Sequence, residues 1–321
     1  MIETLTHLGA SSQVISRVAF GCEQLGGYNW GAVDPREVAA AIELAIAQGV
    51  SIFDTADCYG RGDSERRLGE LLAPHRDRVI IATKFGVRFT DSGSAWYDSS
   101  PQWAREALDA SRKRLGVEAI DLLQMHYWDG ITPLTAVFDT LEQLREQRKI
   151  RWYGITNHVP HMTLAAYPGF VSASLEYSLL ERRHEHAASQ FVRDGLTFLA
   201  YGCLAQGMLS GKYREGVRFS ADDRRSNPKY HNFHGARLVR NSRIVSIVRA
   251  QAAELGVSPS QVAIAWVLRA VRESVAVVGI KRAEQLRDVL GALTLDLPAE
   301  TVAKLDKASA DALAKESLSE S

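Results

Sequence analysis

Short apolar runs rich in β-branched residues recur along the chain: Arg17–Gly21, Ile52–Thr55, Val79–Thr83, Ile120–His126, Ile150–Ile155, Val171–Leu175, Leu196–Tyr201 and Val275–Ile280. Most are apolar at successive positions, which suits parallel strands covered on both faces. Between them the apolar positions take a helical spacing. Asp34-Pro35-Arg36-Glu37 combines an N-cap, a proline at the first helical position and a capping box, and Gly49 stands where a C-cap belongs. Ser100-Pro101 and Thr132-Pro133 repeat the cap-plus-proline signature. The second opens a helix with Leu134, Val137, Phe138, Leu141 and Leu144 on one face. Ser258-Pro259-Ser260-Gln261 starts another.

Eight strands alternating with helices predict an α/β fold, a closed (β/α)8 TIM barrel. The first seven strands begin roughly 20–40 residues apart, the usual size of a βα unit. Ile2–Val14, turning at Gly9-Ala10-Ser11, fits a hairpin before the barrel. The last gap, from Gly202 to Ser274, is longer and holds helical patterns near Arg243–Leu255 and Gln261–Ala270. Within it, the polar stretch Phe219–Arg240 reads either as a mobile loop over the barrel mouth or as surface disorder.

Composition narrows the function classes. Of 321 residues, 46% are hydrophobic and 24% charged, which excludes a disordered chain. Balanced charge, 38 Lys+Arg against 38 Asp+Glu, argues against a nucleic-acid binder. No apolar stretch approaches the roughly 20 residues that span a bilayer, so no membrane partner is expected. The first residues show no secretory signal. Cys22, Cys58 and Cys203 lie far apart and lack metal-ligand spacing, which suggests a reducing, cytoplasmic setting. Length alone would allow two domains. The unbroken strand–helix order favours one, over residues 1–310, with a polar tail at 311–321.

In such a barrel, polar residues at the C-terminal ends of strands are the catalytic candidates. Strand two ends in Phe53-Asp54-Thr55-Ala56-Asp57-Cys58-Tyr59-Gly60, strand three in Thr83-Lys84-Phe85-Gly86, and strand four in Gln124-Met125-His126-Tyr127-Trp128. An acid, a phenol, an amine and an imidazole thus converge on one face. In this order and placement, Asp54, Tyr59, Lys84 and His126 resemble the catalytic tetrad of the aldo-keto reductases. The resemblance runs nearly the whole chain. It includes Ile155-Thr156-Asn157, Glu176 to Arg182, Ala200 to Tyr213, and Gly279 to Leu286. The Leu-Leu-Glu-Arg and Ala-Gln-Gly-Met-Leu-Ser-Gly-Lys-Tyr segments are closest to the bacterial-type, potassium-channel β-subunit-like branch.

The resemblance implies carbonyl reduction with NADP(H); His184 and His186 have no carboxylate or cysteine partners at ligand spacing, so no metal is expected. A carbonyl accepting hydride develops negative charge on oxygen, so a positioned acid must supply a proton. A phenol ionises near pH 10, so Tyr59 would need Lys84 beside it to lower that value, with Asp54 holding the ammonium. His126 would orient the carbonyl oxygen. The chain carries no dinucleotide-binding glycine fingerprint. The family's cofactor positions correspond to Gly21, Cys22, Asp54, Thr156, Asn157, Ser174, Tyr201, Gly202, Cys203, Leu204, Gln206, Gly207, Ser210, Lys212, Gly279, Lys281, Arg282 and Gln285. Tyr201 matches the ring that stacks on nicotinamide. Lys281-Arg282, at a helix start, matches the pocket for the adenosine 2′-phosphate, which favours NADP(H). Three positions depart from the family: Ser174 replaces a usual Gln, Gly202-Cys203 a commoner Ser-Pro, and Val289 a frequent Asn.

Aromatic residues near the presumed mouth, Tyr28, Trp30, Trp96, Tyr97, Tyr127 and Trp128, are candidates for a small carbonyl or alcohol substrate. Two other classes stay open. One is an NADP(H)-binding regulatory subunit like the channel β subunits, and the other is a Schiff-base aldolase using Lys84. A monomer and a homo-oligomer are both compatible with the family.

Overall fold

The computed structural model describes residues 3–27, 30, 33–158, 167–213 and 216–317, with side chains described as far as Ala312. A hairpin of β1 (Leu5–His7) and β2 (Val14–Ser16) comes first. The barrel strands follow: β3 (Val18–Gly21), β4 (Ile52–Asp54) and β5 (Ile80–Phe85). A second hairpin, β6 (Val87–Phe89) and β7 (Ala95–Tyr97), interrupts the series. The barrel resumes with β8 (Ile120–Met125), β9 (Ile150–Thr156), β10 (Phe170–Glu176), β11 (Thr197–Tyr201) and β12 (Val275–Gly279). All eight barrel strands pair in parallel, and β12 closes on β3 through Ala276 opposite Val18. The expected (β/α)8 barrel is therefore present.

Helices pack around it: α1 (Pro35–Ala47), α2 (Asp63–Leu72), α3 (Pro101–Leu115), α4 (Leu134–Glu146), α5 (Glu185–Arg193), α6 (Gly235–Leu255), α7 (Pro259–Ala270), α8 (Ala283–Gly291) and α9 (Ala299–Ser317). Their starts are mostly those of the sequence signals. Ser100 accepts from the Trp103 amide, and Ser258 forms a full capping box with Gln261. Two caps differ. Asp34 accepts from the Arg36 amide, one position short of the box geometry. At α4 the cap position is Pro133, and Thr132 instead donates its hydroxyl and amide to Asp129.

The barrel interior explains where the chemistry sits. Leu8 and Ile15 of the first hairpin close the lower end against Ala19, Ile52, Ile80, Ala82, Leu122, Val171, Leu199 and Val275. Side chains alternate along a strand. The alternation that turns Ile80 and Ala82 inward therefore brings Lys84 to the upper mouth. Ile52 likewise leads to Asp54, and Leu122 to Gln124. Apolar residues fill the lower layers, and the polar ends of the same rows collect at the C-terminal face.

The stretch Phe219–Arg240, expected to be mobile or disordered, is tied to the barrel. It contains 3-10 turns at Arg224–Ser226 and His231–Phe233, and α6 already begins at Gly235. Asp223 bridges to Trp30, Arg224 pairs with Glu23, and the rings of Tyr213, Phe219 and Phe233 pack edge to face. Buried Asn241 donates to Asn232.

Candidate active site

A cavity of about 1250 Å3 opens at the C-terminal mouth of the barrel. Asp54, Tyr59, Lys84 and His126 all line it. Lys84 Nζ donates to Asp54 Oδ1 at 2.6 Å and to the Thr55 carbonyl at 2.8 Å. It lies 5.2 Å from the centre of the Tyr59 ring. Gln124 Nε2 reaches the other Asp54 oxygen at 3.4 Å. Beneath this pair, buried Glu65 accepts from Thr83 Oγ1 and pairs with Arg114. Tyr59 begins a tight turn in which Gly60 has φ +58, and a Cβ on Gly60 would sit 2.3 Å from the Gly26 oxygen. Glycine at 60 is what lets this turn close against the loop after β3.

His126 is fixed by its own backbone. Its amide donates to the Phe85 carbonyl at 2.7 Å. Its carbonyl accepts from Thr156 Oγ1 at 2.5 Å and Asn157 Nδ2 at 2.9 Å. The ring meets Tyr59 edge-on at 5.9 Å and stacks on Tyr127 at 4.8 Å, and Tyr127 in turn stacks on Tyr97 at 4.6 Å.

Electrostatics depart from the sequence expectation at one point. Burial pushes the Tyr59 phenol well above its ordinary value, and Glu23 and Asp54 add to that push. The burial cost outweighs the stabilisation that the Lys84 charge offers the phenolate. The phenol keeps its proton. Burial, followed by the Lys84 charge, pushes His126 well below its usual range, so the imidazole is neutral. Asp57 is pushed up to about 8, by burial and then by Glu65. The Cys58 thiol is also raised, by burial and then by Asp57. Asp57, Cys58 and His126 each place one polar atom within 4.8 Å of the others. Near neutral pH all three are in uncharged forms, and Cys58 Sγ lies 3.5 Å from His126 Nδ1.

Every position matched to the family's cofactor residues lines the same cavity, from Gly21 and Cys22 through Thr156, Asn157, Ser174, Tyr201 to Ser210 and Lys212, to Gly279, Lys281, Arg282 and Gln285. Val289 lines it too. Asn157, in a left-handed conformation at φ +59, accepts from the Tyr201 hydroxyl at 2.5 Å. Ser174 Oγ donates to the Leu199 carbonyl at 2.8 Å, so it retains only acceptor capacity. At the far end, burial and then Arg225 push Lys281 below the ordinary ammonium range. Lys212 and Arg282 act the same way, and Asp223 opposes them. Such crowded cations suit a phosphate, which would relieve their repulsion. The cradle therefore fits a phosphorylated dinucleotide.

The aromatic candidates divide. Tyr127 lines the cavity, as does Tyr97. Trp30 lines it as well, but at the cation end: its ring lies under Arg224 and its carbonyl accepts from Lys281 Nζ. Trp96 and Trp128 are not part of the wall. Trp96 sits between Ala95 and Tyr97, which line the cavity, and so turns to the opposite face of the hairpin, with Arg88 over its ring. Trp128 turns its Nε1 to the Thr132 carbonyl at 2.7 Å and packs on His158. Tyr28 lies outside the described residues. Sequence reasoning missed Phe89, Glu176, Arg224 and Arg225, all of which line the cavity. Arg225 pairs with Asp223 and sits among the rings of Trp30, Tyr213, Phe219 and Phe233. The adjacent arginines in an aromatic-flanked segment were the available signal.

Residues 17–310 match the family model described as the Aldo/keto reductase family. The chain belongs to the aldo/keto reductase family. Among its relatives, "Probable aldo-keto reductase 1" of Glycine max is 28% identical over 294 residues, covering 90% of this chain and 84% of that protein. "Aldo-keto reductase yakc [NADP(+)]" of Schizosaccharomyces pombe is 29% identical, covering 92% of this chain and 89% of that protein. Among solved structures, the glycerol dehydrogenase AKR11B4 from Gluconobacter oxydans superposes with a TM-score of 0.84. It is 28% identical, with 97% of this chain and 95% of that one covered. Aldo/keto reductases interconvert carbonyls and alcohols, and this chain is an oxidoreductase of that kind. Among the described residues, no helix is long and apolar enough to cross a membrane.

Proposed function

We propose that the chain reduces an aldehyde, a ketone or a sugar-derived carbonyl to the alcohol with NADPH, Tyr59 serving as general acid. The observation that carries this reading is the Asp54–Lys84 pair under Tyr59 in one cavity with the Lys281 cation cluster. Lys281 and Arg282 would hold the 2′-phosphate, Gly207, Ser210 and Lys212 the pyrophosphate, and Tyr201, Asn157 and Ser174 the nicotinamide end. Bound there, NADPH supplies the hydride. Burial holds the proton on the Tyr59 oxygen until negative charge develops on the substrate oxygen, which then takes it. The Lys84 ammonium stabilises the phenolate left behind. Neutral His126 donates to the same oxygen and orients it. The NADP(+) in the name of the yeast relative supports the cofactor choice.

A Schiff-base role for Lys84 is disfavoured. Its Nζ is held in place by hydrogen bonds to Asp54 Oδ1 and the Thr55 carbonyl, which occupy it away from the position a substrate carbonyl would need for attack.

The test follows NADPH consumption across aldehydes, ketones and keto-sugars, with Tyr59→Phe as control. The reverse direction uses glycerol and NADP+, since one solved relative is named a glycerol dehydrogenase. Turnover that disappears in Tyr59→Phe with NADPH affinity retained is the expected result. Near-normal turnover in Tyr59→Phe, or no turnover with any carbonyl or alcohol, overturns the reading.

A further inference from the structure

Cys58 lies one residue before Tyr59, and no role in the proposed chemistry uses it. Its thiol is partly buried, and its Sγ lies 3.5 Å from His126 Nδ1. The rest of His126 is closely determined. Its backbone is held at both ends by Phe85, Thr156 and Asn157, and one ring face is covered by Tyr127 at 4.8 Å. Those contacts fix the plane of the ring. They leave open which nitrogen faces the cavity and which nitrogen carries the hydrogen.

We infer that Cys58 is a positioning residue: its S–H donates to His126 Nδ1, seating the imidazole with Nε2–H directed at the substrate oxygen. A neutral imidazole has one donor and one acceptor nitrogen, so a donor at Nδ1 makes Nε2 the hydrogen-bearing atom. The protonation states agree with the geometry. Burial keeps the thiol protonated and keeps His126 neutral, so the thiol is the donor and Nδ1 the acceptor. The alternative pairing, Nδ1–H toward sulfur, would present a lone pair at Nε2 to the carbonyl oxygen, which repels it. An oriented donor, available before substrate arrives, is the kind of preorganisation that stabilises a developing oxyanion.

The proposal rests on the reductase reading for its effect on turnover, but the seating of the ring can be read without turnover. The experiment compares wild type, Cys58→Ala and Cys58→Ser by 15N–1H long-range spectra of His-labelled protein, with His126→Asn assigning the resonance. It adds kcat and KM for 4-nitrobenzaldehyde with NADPH. In wild type, His126 is expected to show Nε2 protonated and Nδ1 as acceptor. Cys58→Ala is expected to shift the Nδ1 signal and to lower kcat by about tenfold with KM within about twofold. Cys58→Ser, which keeps a donor of similar size, restores both. A wild-type Nδ1–H tautomer, or a His126 spectrum unchanged in Cys58→Ala, overturns the inference even if kcat falls. Absence of turnover in wild type with the expected spectra counts against the reductase reading alone.

Discussion

Lys84 Nζ donates to Asp54 Oδ1 at 2.6 Å, and both side chains are almost closed to solvent. A buried ion pair contributes little net stability, but leaving one partner alone in the interior is costly. This pair has the Tyr59 ring against it, which gives it a second purpose. Lys84→Met should lower kcat by about 10²–10⁴-fold, the usual loss when proton transfer is no longer assisted. Asp54→Asn should do the same, and the double variant should be no worse than the poorer single one, because the two act as a unit. Steady-state kinetics on the three proteins decide this. Additive losses would separate the two roles.

The aromatic wall yields a contrast between neighbouring residues. Tyr97 stacks on Tyr127 inside the cavity, whereas Trp96 points outward under Arg88. Tyr97→Ala should raise KM for aryl aldehydes by about 3–10-fold, the range expected for losing one aromatic partner. Trp96→Ala should leave KM unchanged and at most loosen the β6–β7 hairpin. Parallel KM series for the two variants provide the check, and equal effects would reject this assignment of the wall.

Much of this architecture could be read from residue order. Strands buried on both faces are nearly continuous apolar runs, so the barrel strands stood out, and alternation then fixed which polar residues reach the mouth. The β6–β7 hairpin did not stand out. Its second strand, Ala95-Trp96-Tyr97, is exposed throughout and shows no alternation. Its place after the third barrel strand groups Trp96 with the substrate wall, but it alternates to the face opposite Ala95 and Tyr97, which line the cavity. The onset of α6 at Gly235 was hidden because His234 caps it without a side-chain bond. Tyr59 illustrates a different limit. Sequence places a lysine beside a phenol, but the sign of the shift depends on burial and on Glu23, which comes from another loop. Spacing along the chain carries no information on either.

Asp57 makes the stability of the protein depend on pH. Its carboxyl is pushed up to about 8 by burial, and its Oδ1 has no hydrogen-bond partner. The folded value lies above the unfolded one, so the folded state binds more protons between about pH 4 and 8. The contribution of this group to stability is therefore full below about pH 4 and is lost as pH rises toward 8, at up to about 1.4 kcal/mol per pH unit. Asp57→Asn removes the titration. Its thermal midpoint should exceed that of wild type by a margin that grows from pH 5 to pH 8. Melting curves across that range test the sign, and a constant margin would mean that Asp57 does not titrate there.

The cation end of the cavity separates binding from scaffolding. Lys281 is half-buried, and its ammonium donates to the Trp30 carbonyl, which leaves other hydrogens for a phosphate. Arg282 lines the cavity beside it. Arg225 differs, because its guanidinium is already paired with Asp223 and covered by aromatic rings. Lys281→Met with Arg282→Ala should raise the Kd for NADPH by about 10–100-fold, equivalent to about 1.4–2.8 kcal/mol, while the Kd for NADH changes by less than about threefold. Arg225→Ala should instead lower the thermal midpoint, since it leaves Asp223 unpaired and opens the ring cluster that ties the long loop to the barrel. Fluorescence titration with each nucleotide, beside melting curves, distinguishes the two. Equal loss of NADPH and NADH in the double variant would show that these cations serve the pyrophosphate or the fold and do not select the 2′-phosphate.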